Sequence, residues 1–305
     1  MKLLDGKWLA SQVQRTLSQK IDHECAKGPR KPGLGVILVG ENPASLSYVK
    51  RKEKVAEKTG FRTFDTRLAS DVTFEDVASA IDRYNQDPNV DGILLQLPLP
   101  SHLDSNTLLD RIRPDKDADG LHPVNQGLLM RGEGVLRPCT PKGTLKLLDL
   151  ALSDRMAEGD LDNLEKDLPA VDLSGKSALV VGRSILVGKP VALLLLERNA
   201  TVTLAHSRTE NLKELVAGSD IVVAAVGKPH MIPGDWVREG TIVLDVGINR
   251  LEDGTLTGDV DFESARKRAA AITPAPGGVG PMTVAMLLEN TFFAYQQHLQ
   301  SERHP

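Results

Sequence analysis

SALVVGRSILVGKPVALLLLER, residues 177–198, carries the strongest folding signal in the chain. Its first residues, Ser177–Val181, form an apolar run typical of a buried strand, and Val187–Arg198 has the composition and length of a helix. Gly182 lies at the strand end, where glycine permits a tight turn. Because a helix N-terminus offers unpaired N–H groups and the positive end of its dipole, this turn predicts a phosphate-binding site.

The turn alone leaves a purely structural role open. It departs from the usual G-x-G-x-x-G spacing, since Arg183 stands between Gly182 and Ser184. The next strand end favours a cofactor. NAD sites place an acidic residue about 20 positions on, whereas basic residues accommodate the additional phosphate of NADP. Here Ser207 and Arg208 occupy that place, so the sequence predicts NADP binding, with a surface arginine as the alternative for Arg208.

Outward from this turn, apparent strands and helices alternate, which predicts parallel sheets covered by helices. Strands are expected at 35–39, 61–68, 91–97, 177–181, 201–205, 221–226, 241–246 and near 272. Helices are expected at 5–27, 44–58, 74–84, 141–152, 187–198, 210–217 and 282–300. Residues 113–139 are rich in Pro, Gly and Asp, and an irregular segment of that length is usually functional or disordered.

At 305 residues the chain is long enough for two cores. We expect two α/β domains with a cleft between them: a catalytic domain of residues 1–150 plus the C-terminal helix 284–305, and a Rossmann-type parallel sheet in residues 151–283 that binds NADP. Residues 154–172 hold seven acids against two bases, which predicts a solvated linker or surface insertion.

Composition excludes several other classes of protein. The net charge is -4 and Lys and Arg are scattered, so no nucleic-acid partner is expected. No apolar run is long enough to cross a membrane, and the N-terminus has no signal-peptide core. Cys25 and Cys139 have no metal-site spacing, so no metal is expected, and two isolated thiols favour a reducing, cytoplasmic location.

The first half offers a second group of candidate site residues. Tyr48 and Lys52 are four residues apart on a predicted helix and therefore share a face, although such a pair is common by chance. Gln96 lies near the end of a predicted buried strand, where α/β proteins bind ligands. Dense carboxylates follow in residues 114–125; they fit either Asx turns or a site for a nitrogen-rich heterocycle.

Four stretches together identify a family. They are GENPAS (40–45) leading to Tyr48 and Lys52, QLPLP (96–100), KDADGLHP (116–123) and TPAPGGVGPMT (273–283). In these stretches, and along nearly its whole length, the chain resembles the bifunctional methylenetetrahydrofolate dehydrogenase/methenyltetrahydrofolate cyclohydrolases. The last stretch is highly specific, and its glycines allow close approach of backbone to a ligand.

The resemblance implies a role for each substrate-site residue. Tyr48 would stack on the folate, Lys52 would be the key catalytic residue, Gln96 would orient Lys52, and Asp119 would bind the pterin ring. The remaining implied substrate contacts are Pro276, Gly277 and Gly278.

For the cofactor, the resemblance implies NADP bound by Gly182, Arg183, Ser184, Ser207 and Ile248. It also implies a cytoplasmic homodimer that acts on tetrahydrofolate derivatives in one-carbon metabolism and supports purine, methionine and histidine biosynthesis. Two mild departures from the family pattern occur, Ala205 for a common cysteine and Leu186 for a common isoleucine.

The implied chemistry explains this small set of residues. Hydride removal from the methylene carbon requires no proton transfer, so positioning dominates that step. Hydrolysis of the methenyl cation does require proton transfer, and a buried lysine beside a cationic substrate gives up its proton more readily. Two alternatives remain: another two-domain dehydrogenase acting on an amino or hydroxy acid, and an NADP-binding regulator without activity. The first would have no use for Tyr48, Gln96 and the 276–280 loop together, and the second would be expected to lack Lys52 or Asp119.

Overall fold

The computed structural model describes residues 1–26, 28–153 and 168–303. Of the predicted acidic segment, residues 154–167 lie outside this description. The chain forms two compact units, one of residues 1–12 with 138–286, the other of residues 13–137 with the C-terminal residues from 287 on. The domain boundaries expected from the sequence, near residues 150 and 284, remain a prediction.

Strands and helices alternate along most of the chain, as the sequence predicts. The strands are β1 (Lys2–Leu3), β2 (Gly33–Val39), β3 (Arg62–Leu68), β4 (Gly92–Leu95), β5 (Ser177–Val181), β6 (Thr201–Ala205), β7 (Ile221–Ala224), β8 (Ile242–Asp245), β9 (Asn249–Arg250), β10 (Leu256–Thr257) and β11 (Ala271–Ile272). The α-helices are α1 (Gly6–Cys25), α2 (Pro43–Thr59), α3 (Phe74–Gln86), α4 (Ser105–Asp110), α5 (Pro123–Met130), α6 (Cys139–Leu152), α7 (Gly188–Leu196), α8 (Leu212–Ala217), α9 (Phe262–Ala265) and α10 (Val279–Arg303). The alternation is interrupted where α4, α5 and α6 follow one another and where β8, β9 and β10 do so.

One unit is built on a parallel sheet of three strands in the order β3-β2-β4. Every residue of β2 and β4 is buried, because apolar side chains cover both of their faces. Helix α3 packs on this sheet through Ile81 and Tyr84, and the Tyr84 ring fills the space above Gly35, where an added Cβ would lie 2.8 Å from the ring. This packing fixes the end of β2, from which the chain enters α2.

The C-terminal half of α10 is anchored in the same unit by charged side chains. His298 bridges two carboxylates, with Nδ1 2.9 Å from Asp91 and Nε2 3.2 Å from Asp115. Arg30 forms a two-pronged ion pair with the buried Asp91 at 2.7 and 2.8 Å. Burial lowers the pKa of His298, but both carboxylates outweigh it and raise the pKa above its ordinary value. These contacts fix the helix that also carries Asn290.

The other unit contains a six-stranded sheet in the order β1-β11-β8-β7-β5-β6, in which every neighbouring pair is parallel. Its core is formed by the fully buried aliphatic side chains of successive strands: Leu179, Val181, Val222, Val243 and Ile272. The two-domain α/β fold and the Rossmann-type parallel sheet predicted for the C-terminal half are therefore confirmed. The sequence did not predict β1, which adds the first residues of the chain to this sheet.

The prediction that residues 113–139 are irregular throughout was wrong. Residues Pro114–Lys116 form a 3-10 helix, and Pro123–Met130 form α5. His122 caps α5, because its Nδ1 accepts a hydrogen bond from the Val124 N–H at 3.1 Å. Proline in the first turn suits a helix, since its missing N–H has no helical partner there. A helix of 8 residues is too short to produce a clear hydrophobic period.

Candidate active site

Helix α2 presents Tyr48 and Lys52 on one face, as their spacing predicts. Lys52 is 3% exposed, and its Nζ lies 4.4 Å from the centroid of the Tyr48 ring. A cation over a ring face is attracted by the π electrons, and this attraction strengthens as water is removed. The helix therefore buries an amine and directs it across an aromatic ring that is itself partly exposed.

Gln96 meets Lys52 because β2 and β4 are neighbours. The chain leaves β2 towards α2, and Gln96 follows β4, with its N–H donating to Ile37 O at 2.9 Å. Lys52 Nζ donates to Gln96 Oε1 at 3.2 Å, while Gln96 Nε2 donates to Leu97 O at 2.5 Å. The second bond holds the amide so that its oxygen faces the lysine. The structure thus brings Tyr48, Lys52 and Gln96 together.

Asp119 lies in a loop that runs beside β4, where Asp117 pairs with Ile93. Asp117 is buried and accepts hydrogen bonds from the His122 N–H and from Asn125 Nδ2, both at 2.8 Å. Burial raises the pKa of Asp117, which these donors partly offset. Asp117 is therefore held in the interior of the unit, whereas the side chain of Asp119 is half-buried.

The loop that carries Asp119 is also fixed from helix α10. Asn290 is fully buried, and its Nδ2 donates to Ala118 O at 3.0 Å and to Arg137 O at 2.8 Å. This role could not be predicted from the sequence, because a polar residue in a long helix has no local signature of a distant partner.

The turn after β5 contains two glycines, Gly182 and Gly188, at positions where a side chain would clash with the backbone. Gly182 has a φ of +126°, and a Cβ there would lie 2.1 Å from Ala225 O. A Cβ on Gly188, at the start of α7, would lie 2.0 Å from Gly182 O. Ser184 Oγ accepts from the Val187 N–H at 3.1 Å, and both Ser184 and Arg183 are exposed. The turn therefore presents polar groups at the beginning of a helix.

Ser207 and Arg208 lie beside this turn, because β6 is the neighbour of β5 and the Gly182 N–H donates to Ala205 O at 2.9 Å. The loop is held by a hydrogen bond from the Arg208 N–H to His206 Nδ1 at 3.2 Å. Both Ser207 and Arg208 have exposed side chains. The two predicted halves of the nucleotide site thus meet at one sheet edge.

Ile248 and the glycine-rich loop are neighbours in the same unit. Ile248 is 55% exposed, and a Cβ on Gly280 would lie 3.4 Å from its Cδ1. Pro276 leads into Gly277, whose φ is +118°, and a Cβ added to Gly278 would lie 2.7 Å from the Thr273 side chain. Ile248 therefore presents an exposed apolar side chain close to a loop in which Pro276 is also exposed.

Two buried aspartates in this unit were not identified as functional from the sequence. Asp245 and Asp259 are 4% and 0% exposed. Burial raises the pKa of Asp245 to about 6, against the effect of its N–H donors. The only local signals are adjacent glycines, Gly247 and Gly258, which also fit ordinary turns.

Among the described residues, no group of three or more His, Cys, Asp or Glu side chains is arranged to hold a metal ion. Within the same residues, no helix combines the length and apolarity that a membrane crossing requires.

In comparisons with known proteins, both halves of the chain match domains of the same family. Residues 4–119 match the catalytic domain of tetrahydrofolate dehydrogenase/cyclohydrolase, and residues 163–299 match its NAD(P)-binding domain. Among solved structures, the bifunctional FolD dehydrogenase/cyclohydrolase of Campylobacter jejuni is 42% identical, with a TM-score of 0.88, over 97% of this chain and 99% of that chain.

Two further structures are similar over almost their whole lengths. The Trypanosoma brucei dehydrogenase-cyclohydrolase, which was solved with NADP and an inhibitor, is 38% identical with a TM-score of 0.86, over 97% of this chain and 98% of that chain. The silkworm (Bombyx mori) 5,10-methylenetetrahydrofolate dehydrogenase is 37% identical with a TM-score of 0.86, over 98% of this chain and 99% of that chain.

Proposed function

The chain belongs to the tetrahydrofolate dehydrogenase/cyclohydrolase family, and we infer that it catalyses both reactions. It oxidises 5,10-methylenetetrahydrofolate to the 5,10-methenyl form with NADP, and it hydrolyses that product to 10-formyltetrahydrofolate. The observation that carries this inference is the buried hydrogen bond from Lys52 to Gln96, with the Lys52 amine over the Tyr48 ring.

We propose that Tyr48, Lys52, Gln96 and Asp119 hold the folate. The partly exposed Tyr48 ring offers a flat apolar surface on which an aromatic ring can stack. Asp119 offers a carboxylate to the N–H groups of a pterin. The exposed Pro276, followed by the half-buried Gly277 with its positive φ, supports a further contact to the substrate.

Lys52 is proposed to move the protons of the hydrolysis step. Water adds to the methenyl carbon and must lose a proton, and a ring nitrogen must gain one as the C–N bond breaks. An amine held by Gln96 Oε1 has a fixed direction, so its remaining N–H groups and its lone pair after deprotonation point to a defined place. Hydride removal needs no such transfer, and there the residues orient the substrate and exclude water.

The nucleotide turn fits NADP. Gly182 and Gly188 form a cradle that any Cβ would fill, and Arg183, Ser184, Ser207 and Arg208 supply hydroxyl and guanidinium donors at the edge of the sheet. These donors suit the additional phosphate dianion of NADP through charge-assisted hydrogen bonds. When bound, the cofactor accepts the hydride. We propose Ile248 as an apolar contact to its nicotinamide end.

We further propose that the protein is a cytoplasmic homodimer serving purine, methionine and histidine biosynthesis. Cys25 and Cys139 are both thiols and are not joined by a disulfide, which supports a reducing compartment. Strand β6 is an edge strand that carries Leu204, which is 38% exposed, and Leu196 at the end of α7 is 60% exposed; both support pairing with a second copy. Sedimentation of the purified protein tests the dimer.

The decisive test is a two-stage spectrophotometric assay of the purified protein. With methylenetetrahydrofolate and NADP, NADPH absorbance is expected to rise, and methenyltetrahydrofolate added alone is expected to lose its chromophore. Turnover with an amino or hydroxy acid, and none with methylenetetrahydrofolate, would overturn the proposed function.

A further inference from the structure

Three loops at one edge of the six-stranded sheet are tied together by two buried carboxylates. The loops follow the adjacent strands β7, β8 and β11, and they contain residues 225–228, 246–249 and 273–278. The carboxylates belong to Asp259, after β10, and to Asp245, at the end of β8. The carboxyl ends of parallel strands are where α/β proteins bind ligands, so these loops lie at the functional edge.

Asp259 joins the first two loops. Its Oδ2 accepts from the Val226 N–H at 2.6 Å and from the Gly227 N–H at 3.0 Å. Its Oδ1 accepts from the Lys228 N–H and from Asn249 Nδ2, both at 2.9 Å. A carboxylate has about four acceptor positions, and all are used here. One fully buried side chain thus fixes three successive amides after β7 and the residue next to Ile248.

Asp245 extends these connections. Its Oδ1 accepts from the Gly247 and Asp259 N–H groups, both at 3.0 Å, and its Oδ2 accepts from the Val260 N–H at 2.9 Å. The Asp245 N–H donates to Thr273 Oγ1 at 2.7 Å. The position of Asp259 is therefore set from the end of β8, and the third loop is tied to the same point.

Two glycines adapt the backbone to these carboxylates. A Cβ on Gly247 would lie 2.2 Å from Asp259 Oδ1, and a Cβ on Gly258 would lie 1.9 Å from Asp245 Oδ2. Both positions are closer than any side chain can tolerate. The backbone between β8 and β9 thus lies directly against the buried carboxylates, and Ile248 is the residue that it turns outward.

We propose that Asp259 is a positioning residue for hydride transfer, which it supports by fixing the loop that carries Ile248 and the neighbouring loop after β7. This inference rests on the proposed function, which gives Ile248 to the nicotinamide end of NADP. Asp259 is fully buried and its acceptor positions are filled by donors of the protein itself, so it acts through the backbone of 226–228 and through Asn249. A displacement of reacting groups by about 1 Å can cost 10²-fold in rate, so loosened loops reduce hydride transfer selectively.

The test is Asp259→Asn, which replaces one acceptor oxygen with an amide NH₂ that faces N–H donors. Dehydrogenase kcat is expected to fall about 10²-fold, whereas hydrolysis of added methenyltetrahydrofolate, which uses no cofactor, stays within about threefold of the parent. Asp261→Asn is the matched control. Asp261 accepts from the Ser264 N–H and hydroxyl at the start of α9, and both activities are expected to persist.

The comparison separates the possible outcomes. A parent protein without dehydrogenase activity would refute the proposed function itself. An active parent with a parallel fall of both activities in Asp259→Asn, or with no fall, would refute the positioning role. Should Asp259→Asn not fold, Asn249→Ala decides: it removes one donor to Asp259 and is expected to lower dehydrogenase kcat alone, by about tenfold. Unchanged activity in that variant would then count against the proposal.

Discussion

Replacing Lys52 by methionine should separate the two activities. Methionine keeps much of the apolar stem and removes the amine that donates to Gln96 Oε1 at 3.2 Å. Only the hydrolysis step requires proton transfer. We therefore expect cyclohydrolase activity to fall about 10²-fold or more, the usual worth of a positioned acid or base. Dehydrogenase activity should fall less and remain measurable, with methenyltetrahydrofolate accumulating as the product.

The structure also sets the expected effect on stability. The variant leaves Gln96 Oε1 without its lysine donor, which costs about 1–3 kcal/mol for a buried acceptor. The lost attraction between the amine and the Tyr48 ring costs about 0.5–2 kcal/mol. Against this, a side chain that is only 3% exposed no longer holds an ammonium group out of water. These contributions oppose each other, so the melting temperature should change little and the loss of rate should not reflect unfolding.

Both rates should be measured on one preparation, with folate binding and the melting temperature determined separately. Lys50→Met is the matched control, because Lys50 is exposed on the same helix and the substitution is the same. It should leave both rates nearly unchanged. A cyclohydrolase rate for Lys52→Met within about threefold of the parent would refute Lys52 as the proton-transferring group.

Other expectations concern the substrate, the cofactor and pH. Asp119→Ala should reduce both activities together, because both reactions involve the same carbon of one bound folate; loss of one activity alone would contradict a shared site. Ser207→Asp with Arg208→Ala should weaken NADP binding by about 1.5–3 kcal/mol per lost charged contact and affect NAD much less; equal losses would contradict the phosphate assignment. Burial and the neighbouring carboxyl group of Asp65 raise the pKa of Glu53 to about 7, so the stability that its protonated form contributes is present below pH 4.5 and is lost as pH rises through 7. Glu53→Gln should therefore stabilise the fold at pH 8 by about 1–2 kcal/mol, allowing for partial solvent screening, with little effect near pH 5, as thermal unfolding at both pH values would show.

Most of the fold follows from periodic patterns of residues that are close in sequence. The apolar run before Gly182 and the helix after it reproduce β5 and α7 within a few residues. Tyr48 and Lys52 were predicted to share a helix face, and their contact in the structure confirms it. Gln96 was predicted at the end of a buried strand, and it follows β4. In each case, local spacing determines the geometry, and the parallel sheet then brings the strand ends together.

What the sequence could not reveal depends on contacts between residues that are far apart along the chain. Asp259 accepts hydrogen bonds from amides at 226–228, more than thirty residues away, and Asn290 donates to Ala118 O across 172 residues. Every residue except proline has a backbone N–H group. The residue types at 226–228 therefore do not indicate that their N–H groups bind a carboxylate. A buried carboxylate without such donors would be strongly destabilising, so the structural environment, and not the residue type, distinguishes Asp259 from a surface aspartate. The residues proposed to bind ligands could be named from the chemistry of their own side chains, whereas the residues that hold the surrounding loops could be recognised only from the hydrogen bonds of the folded chain.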